Sequence, residues 1–200
     1  KITRLPDGKI RKIYFNSNLT AGFVDSIVYN VFYDATGTKL AYSIGTTYSL
    51  IGGIKDSAIY TYNAAGLVSE KISYTDFLGS YEPGSRNTMQ YDPNGNLVRD
   101  SSFSSDGTGG WDFDAVAVHT YDGHKSAVVL GEESYIVLGE ENTSKNNLVQ
   151  SITMESTGGT VTTITISQQQ FNSFDRPTQG NMSVTPQPPG YDLKLLYFYQ

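Results

Sequence analysis

A tyrosine followed by aspartate or asparagine and, three positions later, by glycine recurs in this chain at a constant interval. The Asp or Asn side chain can bond the backbone two positions further on, and glycine supplies a left-handed residue that lets two twisted strands close. A leucine shortly beyond each glycine begins a returning strand. A period of roughly 30 residues, built as strand, turn and strand, predicts an array of β-hairpins. The repeat residues are Tyr33, Asp34, Gly37, Tyr62, Asn63, Gly66, Tyr91, Asp92 and Gly95.

Two less regular units extend this array. Tyr121 and Asp122 follow Tyr91 by about the same interval, with glycine immediately after them, and we interpret them as an irregular repeat turn. The stretch Phe174-Asp175-Arg176-Pro177 has the character of a further unit from which the glycine is missing. The ring of each repeat tyrosine is expected to pack against the leucine of its own returning strand, so packing rather than the hydroxyl is its predicted contribution.

The composition favours sheet over helix. Fifteen tyrosines and nine phenylalanines suit a pleated, half-buried surface, and 20 glycines suit a chain that turns often. We predict one all-β domain over residues 1–200, an antiparallel β-hairpin repeat meander that forms a strongly curved sheet or an open or partly closed barrel. Residues 125–141 break the alternation, which indicates an irregular or short helical segment crossing an open end or face of the sheet.

The connections and the last strand complete the predicted fold. Polar stretches rich in glycine and serine predict long hairpin connections on the edge opposite the repeat turns. The final strand has apolar residues on both faces, which predicts a buried position or a covered edge. The stretches concerned are 45–53, 79–86 and 101–110 for the connections and 193–199 for the strand.

Charge and residue usage exclude several functions. A net charge of −6 and a pI near 4.8 argue against a nucleic-acid partner, and no apolar run approaches the length of a transmembrane helix. Cysteine is absent, and the two histidines, His119 and His124, have no carboxylate at metal-ligand spacing nearby. Serine-nucleophile and phosphate-loop motifs are also absent. We predict no catalytic, cofactor or metal residues.

The repeat units Tyr33-Asp34-x-x-Gly37, Tyr62-Asn63-x-x-Gly66 and Tyr91-Asp92-x-x-Gly95 resemble the YD, or RHS-type, repeat. The stretch Tyr121-Asp122-Gly123-His124-Lys125, with 144–148 and 171–177, resembles a narrower group, the exported lipoprotein domains of unknown function from Bacteroidetes-type Gram-negative bacteria. This resemblance implies an exported domain at the cell envelope, associated with the outer membrane through a lipid on a residue upstream of Lys1. It implies no catalytic residue. We also predict that the domain is a monomer.

The function that this sequence favours is non-enzymatic binding of a glycan, peptide or protein partner on the curved sheet. Trp111, Asp112 and Asp114 form a candidate binding surface, because an aromatic ring beside two carboxylates can contact a sugar. One alternative is a glycoside-active enzyme that uses these acids or Glu132, Glu133, Glu140 and Glu141. Two others are a purely structural surface domain and an integral outer-membrane barrel, which the polar strand at 162–170 disfavours.

Overall fold

The computed structural model describes residues 1–20, 23–49, 52–77, 79–126, 135–136, 143–186 and 193–197. These residues are almost entirely β-structure, with a short π-helical turn at residues 135–136. None of the helices in the described ranges has the length and apolarity needed to cross a membrane. The strands are β1 Ile2–Arg4, β2 Ile10–Thr20, β3 Phe23–Tyr33, β4 Leu40–Ser49, β5 Gly52–Tyr62, β6 Val68–Phe77, β7 Ser80–Tyr91, β8 Leu97–Ser105, β9 Trp111–Lys125, β10 Asn146–Glu155, β11 Val161–Phe171, β12 Pro177–Thr185 and β13 Leu193–Leu196.

The strands form one sheet in which spatial order follows chain order from β1 to β13. Each pairing for which the register is defined is antiparallel. In the described part of the chain β1 and β13 do not pair, so the sheet is not closed. The predicted all-β hairpin meander is therefore confirmed.

The chain divides into two compact units. One unit comprises Lys1–Asn87, Ser104–Asp112 and Tyr135–Leu138, and the other comprises Thr88–Phe103, Phe113–Ser134 and Gly139–Gln200. The first has a largely apolar core that includes Ile10, Val31, Leu40 and Val68. The second buries Leu97 and Val116 but also several polar side chains. The single domain over residues 1–200 stays a prediction.

Four hairpin turns share one backbone geometry and are evenly spaced along the chain. In each, the N–H of the fourth residue donates to the carbonyl of the first over 2.8–3.0 Å, and that fourth residue is a glycine with φ between 68° and 87°. Glycine adopts this left-handed conformation without the steric cost that a side chain would bring. The array thus begins one unit earlier than the tyrosines indicate. The turns begin at Leu5, Asp34, Asn63 and Asp92.

The turn that lacks glycine closes in the same way. Asp175 donates its N–H to the carbonyl of Asn172 over 3.0 Å and has a φ of 65°, which aspartate tolerates better than most residues. Its carboxylate also lies 2.5 Å from Nδ1 of His124, whose ring stacks on Phe171 at 3.8 Å. The predicted degenerate unit is therefore a repeat turn, but the prediction aligned it three residues too late. The turn begins at Asn172, and Asp175 stands where the other units have glycine.

The irregular unit predicted at Tyr121 does not form a turn. Tyr121 and Asp122 lie inside β9, which continues to Lys125. Tyr121 nevertheless keeps the role of a repeat tyrosine, because its hydroxyl donates to the carbonyl of Leu97 over 2.8 Å, as the hydroxyl of Tyr62 does to Leu40. Each tyrosine thus ties its strand to the buried leucine of an earlier hairpin. The hydroxyl has a structural role besides the ring packing that the sequence predicts.

The side chain of Asn96 joins the turn at Asp92 to the start of β10. It is 2% exposed, and its Nδ2 donates to Asp92 Oδ2 and to Asn146 Oδ1, each over 2.9 Å. Its Oδ1 accepts from the backbone N–H of Asn146 over 2.9 Å. Both polar ends of this buried amide are therefore satisfied, and two stretches that are distant along the chain are held together.

A second set of bonds continues this connection through Ser144, which is 1% exposed. Its Oγ accepts from the backbone N–H of Leu97 over 3.0 Å and donates to the hydroxyl of Tyr121 over 2.8 Å. Because that hydroxyl bonds the carbonyl of Leu97, a serine and a tyrosine satisfy both backbone groups of one buried residue. The chain leading into β10 is thus fixed to the turn by side chains. We call Asp92, Asn96, Tyr121, Ser144 and Asn146 the central-turn network.

Two expectations about the remaining chain are wrong. The stretches at 45–53 and 79–86 are not long loops, since most of their described residues belong to β4, β5 and β7, and only residues 106–110 of the third stretch connect β8 to β9. Serine, threonine and glycine are tolerated in these strands because most of the positions are exposed or half-buried. The last strand spans only Leu193–Leu196 and lies at an edge of the sheet. Leu193 and Leu196 are 50% and 55% exposed, so this edge is not buried.

We expect Tyr62→Phe to lower the free energy of unfolding by about 0.5–1.5 kcal/mol, because it removes the hydroxyl that donates to the carbonyl of Leu40. Tyr42→Phe is the matched control, since Tyr42 is exposed and keeps its stacking on Phe32 as phenylalanine. Urea titration of both variants measures the difference. Equal midpoints for Tyr62→Phe and the parent chain would show that the hydroxyl adds nothing.

We expect Asp175→Asn to lower the melting temperature more at pH 5.5 than at pH 8.5. The hydrogen bond with Asp175 raises the pKa of His124 above its ordinary 6.5. The stability that this bond adds is therefore fully present below pH 6.5 and is lost as the pH rises through the raised pKa of His124. The same bond lowers the pKa of Asp175 below 3.8, so stability is lost only as the pH falls through that lowered pKa. The pair therefore stabilises most between about pH 4 and 6.5. Asparagine keeps the tolerance for positive φ.

Asp7→Asn is the control for this pH dependence. Asp7 also lies in a repeat turn, but its partner is a lysine instead of a histidine, with Nζ of Lys9 3.0 Å from Oδ2 of Asp7. Its effect on the melting temperature should be the same at both pH values. An effect of Asp175→Asn that is equally independent of pH would contradict the role of His124.

Candidate binding cleft

The surface predicted from Trp111 lies on β9. Trp111 is partly exposed, and Asp112 and Asp114 are exposed. The structure places none of the three in the cleft described below. The glutamates at 132, 133, 140 and 141 lie outside the described residues. A binding role for Trp111, Asp112 and Asp114 stays a prediction.

The histidines form no metal site with the described acids, among which no cluster of three or more ligand-type residues occurs. His119 is buried, and its Nε2 lies 3.2 Å from Asp100 Oδ1, while its Nδ1 has no hydrogen-bond partner in the described ranges. His124 is hydrogen-bonded to Asp175 in the last repeat turn.

Four neighbouring strands of the first unit, β3 to β6, present a cleft of about 260 Å³ that is partly open to solvent. The strand register arranges its lining in three rows across the sheet. The first row holds Tyr29, Asp56 and Thr75, the second holds Ser43, Ala58 and Ser73, and the third holds Tyr60 and Lys71. Ser57, Tyr74 and Ile136 border these rows. We call this group the hydroxyl cleft, because most of its row residues carry a hydroxyl group.

The π-helical turn at residues 135–136 forms one wall of the hydroxyl cleft. Tyr135 and Ile136 are each 7% exposed, and Ile136 lines the cleft. The hydroxyl of Tyr60 lies 3.0 Å from Ser43 Oγ and donates to the carbonyl of Tyr135 over 3.5 Å. These two residues belong to the predicted crossing segment, and their position against the sheet agrees with the expectation that it covers a face. The rest of that segment lies outside the described residues.

Gly45 makes room for the acidic side chain of the cleft. It lies between Tyr29 and Asp56 in the same row. A Cβ at position 45 would collide with Oδ1 of Asp56 and would lie 2.9 Å from Cε1 of Tyr29. Because glycine has no side chain, the carboxylate of Asp56 can lie against β4 and accept a hydrogen bond from the N–H of Gly45. Glycine here serves close approach rather than turn formation.

Burial of Asp56 controls the electrostatics of the cleft. Desolvation raises the pKa of its carboxyl above the ordinary value, although the N–H of Gly45 and the charge of Lys71 oppose this shift. Burial also raises the pKa of the Tyr29 phenol, and the negative charge of Asp56 adds to that effect. A half-desolvated carboxylate interacts strongly with a hydrogen-bond donor or a cation that enters beside it.

The sequence did not reveal the hydroxyl cleft. Its residues come from strands that alternate polar and apolar side chains, and polar residues of this kind are usually solvated. The one signal was the group of small or polar residues Gly45, Thr46 and Thr47, which begins the stretch 45–53 that we interpreted as a connection. A face with serine and glycine at its centre leaves space that larger side chains would fill.

Together these observations define an antiparallel hairpin-repeat sheet with a polar cleft on one face. No protein-family profile and no curated protein matches the sequence. A porin-like protein from Bacteroides vulgatus is similar in structure, with a TM-score of 0.53 and 10% sequence identity, over 97% of this chain and 89% of that chain. A porin-like protein from Bacteroides uniformis has a TM-score of 0.35 and 11% identity, with 92% of each chain covered.

The likeness to the first of these proteins shows a shared fold. The YD-repeat relationship and the lipid anchor stay predictions.

Proposed function

We propose that this chain is a non-enzymatic cell-envelope domain that binds a small polar ligand, the end of a glycan or peptide, in the hydroxyl cleft. The observation that carries this proposal is the cleft itself, into which four adjacent strands bring hydroxyl groups, one acid and one base. Its volume is slightly below the range of about 300–1,000 Å³ for sites that take drug-sized ligands. A cleft of this volume is suited to a single sugar ring or a single amino acid.

The composition of the cleft favours binding over catalysis. Glycoside hydrolysis uses two carboxyl groups about 5–10 Å apart. The described lining supplies one carboxyl, that of Asp56. The glycoside-active alternative would therefore need Asp112 and Asp114, which lie elsewhere on β9, or the glutamates at 132, 133, 140 and 141, which lie outside the described residues.

Thr75→Tyr should weaken ligand binding at least about tenfold, because the added ring would occupy space at the rim of the cleft. Thr61→Tyr is the matched control, since Thr61 is also exposed but lies on the opposite face of the neighbouring strand β5. Threonine and tyrosine both suit strands, so both variants should fold. Isothermal titration with hits from a glycan and peptide array compares them. Unchanged binding by Thr75→Tyr would contradict the cleft as the site.

We propose the cell envelope as the location, with tethering by a lipid upstream of Lys1. Support comes from the resemblance to exported lipoprotein domains and from the similarity in structure to a porin-like protein of Bacteroides vulgatus.

A row of exposed side chains supports a second candidate, direct contact with membrane lipid. Phe32, Tyr42 and Ile59 are opposite one another on β3, β4 and β5, on the face away from the cleft. They are 37%, 40% and 47% exposed, and Phe32 stacks on Tyr42 at 4.4 Å. Lipid-facing strands carry an apolar band of this kind.

Purification without detergent separates the two candidates. A ligand-binding domain tethered by a lipid should give a soluble monomer once it is produced from Lys1 onward, as size-exclusion chromatography with light scattering would show. A chain that stays in the membrane fraction until detergent is added would support the lipid-contacting face and would contradict tethering alone.

A further inference from the structure

The hydroxyl cleft carries two oppositely charged residues, one in its first row and one in its third row. Asp56 lies opposite Thr75 in the first row, and Lys71 lies opposite Tyr60 in the third. The step along β5 from Asp56 to Tyr60 corresponds to about 13 Å, at roughly 3.3 Å for each position of a strand. The long lysine side chain spans part of this distance, and its charge acts on the carboxylate of Asp56. They are the only charged side chains in the described lining.

Neutral groups fill the row between the charges. Ser43 and Ser73 contribute hydroxyls, and Ser43 lies 3.0 Å from the hydroxyl of Tyr60. Ala58 lies between them in the register, and Ile136 adds an apolar wall. The rows of the cleft therefore carry, in order, an acidic residue, neutral residues with an apolar side, and a basic residue.

We propose that the hydroxyl cleft selects a zwitterion of the amino-acid type, with the ligand's ammonium group at Asp56 and its carboxylate at Lys71. This inference rests on the proposed function, because it names the ligand class of the same site. The seryl hydroxyls of the middle row can donate to the ligand's carboxylate, and the apolar wall can contact its side chain.

Selection follows from the cost of desolvating both protein charges when a ligand fills the cleft. Asp56 and Lys71 already attract each other, and a ligand that enters between them weakens this attraction. A ligand with two opposite charges replaces the attraction at both residues, whereas a neutral sugar supplies only dipoles. A simple cation meets Lys71 and a simple anion meets Asp56, so each is disfavoured by one end of the cleft. Recognition of a single charge would not need both residues.

The test uses the purified chain and the twenty free amino acids as probes, screened by thermal shift and measured by isothermal titration. The N-acetyl and carboxamide derivatives of the best binder remove one charge each. Each derivative should bind about tenfold to a hundredfold more weakly, the effect of losing a charged hydrogen bond. Asp56→Asn should bind the free amino acid as weakly as the parent binds the N-acetyl derivative, and Lys71→Met should do the same for the carboxamide.

Two control variants remove charged residues outside the cleft and show whether the loss of any charge weakens binding. Lys55→Met removes an exposed lysine that precedes Asp56 and points to the other face, and Glu82→Gln removes an exposed acid on β7. Both should bind the free amino acid as the parent does. Asparagine at position 56 can still accept the N–H of Gly45, so Asp56→Asn should fold, and its melting curve confirms this.

Neutral monosaccharides complete the set of probes and separate the two proposals. If they bind, lose affinity in Thr75→Tyr and are indifferent to Asp56→Asn, the zwitterion is wrong while the cleft remains the binding site. If neither sugars nor amino acids bind, the proposed function fails as well. Amino-acid binding that survives both Asp56→Asn and Lys71→Met would also overturn the inference.

Discussion

The sheet depends on a left-handed residue at the same place in each repeat turn. This residue has a φ between 65° and 87°, and its N–H donates a hydrogen bond to the carbonyl of the first residue of the turn. The hairpin then closes with the twist that neighbouring strands require. Because these turns fix the register, they also decide which side chains share a face. The rows of the hydroxyl cleft therefore follow from hairpin geometry that is set elsewhere in the chain.

Tertiary hydrogen bonds complete what the turns begin. The hydroxyls of Tyr62 and Tyr121 each join the strand that carries them to an earlier hairpin. The central-turn network joins Asn96 to a strand that is distant along the chain. These bonds end on backbone groups that packing has removed from water. Each of these bonds therefore stabilises the fold mainly because, without it, a buried backbone group would have no hydrogen-bond partner. The same logic explains why repeat positions favour tyrosine, which combines a large apolar ring with a hydroxyl that can reach a carbonyl.

The sequence predicted the fold well because its signals are local. Asp34, Asn63 and Asp92 mark turns through their own backbone chemistry, and the glycine that follows in each unit confirms them. The turn predicted at Tyr121 and Asp122 is wrong because the same pair of residues also occurs inside a strand. There, their partners Leu97 and Asn147 are distant in sequence. The cleft could not be predicted for a related reason. Asp56, Ser43 and Lys71 are separated along the chain, and only the register places them on one face. Gly45 gave no signal either, since its role depends on a side chain of the next strand.

The polar interior of the second unit has a thermodynamic consequence. Among its described residues, Asn96, His119, Ser144, Asn147 and Ser151 are as buried as Met89, Leu97 and Val116. Exposure of apolar surface raises the heat capacity on unfolding, whereas exposure of polar surface lowers it. A unit that buries amides and hydroxyls beside few aliphatic groups should therefore unfold with a small change in heat capacity. Its stability would then vary little with temperature, and cooling would weaken it less than it weakens the apolar core around Leu40 and Val68.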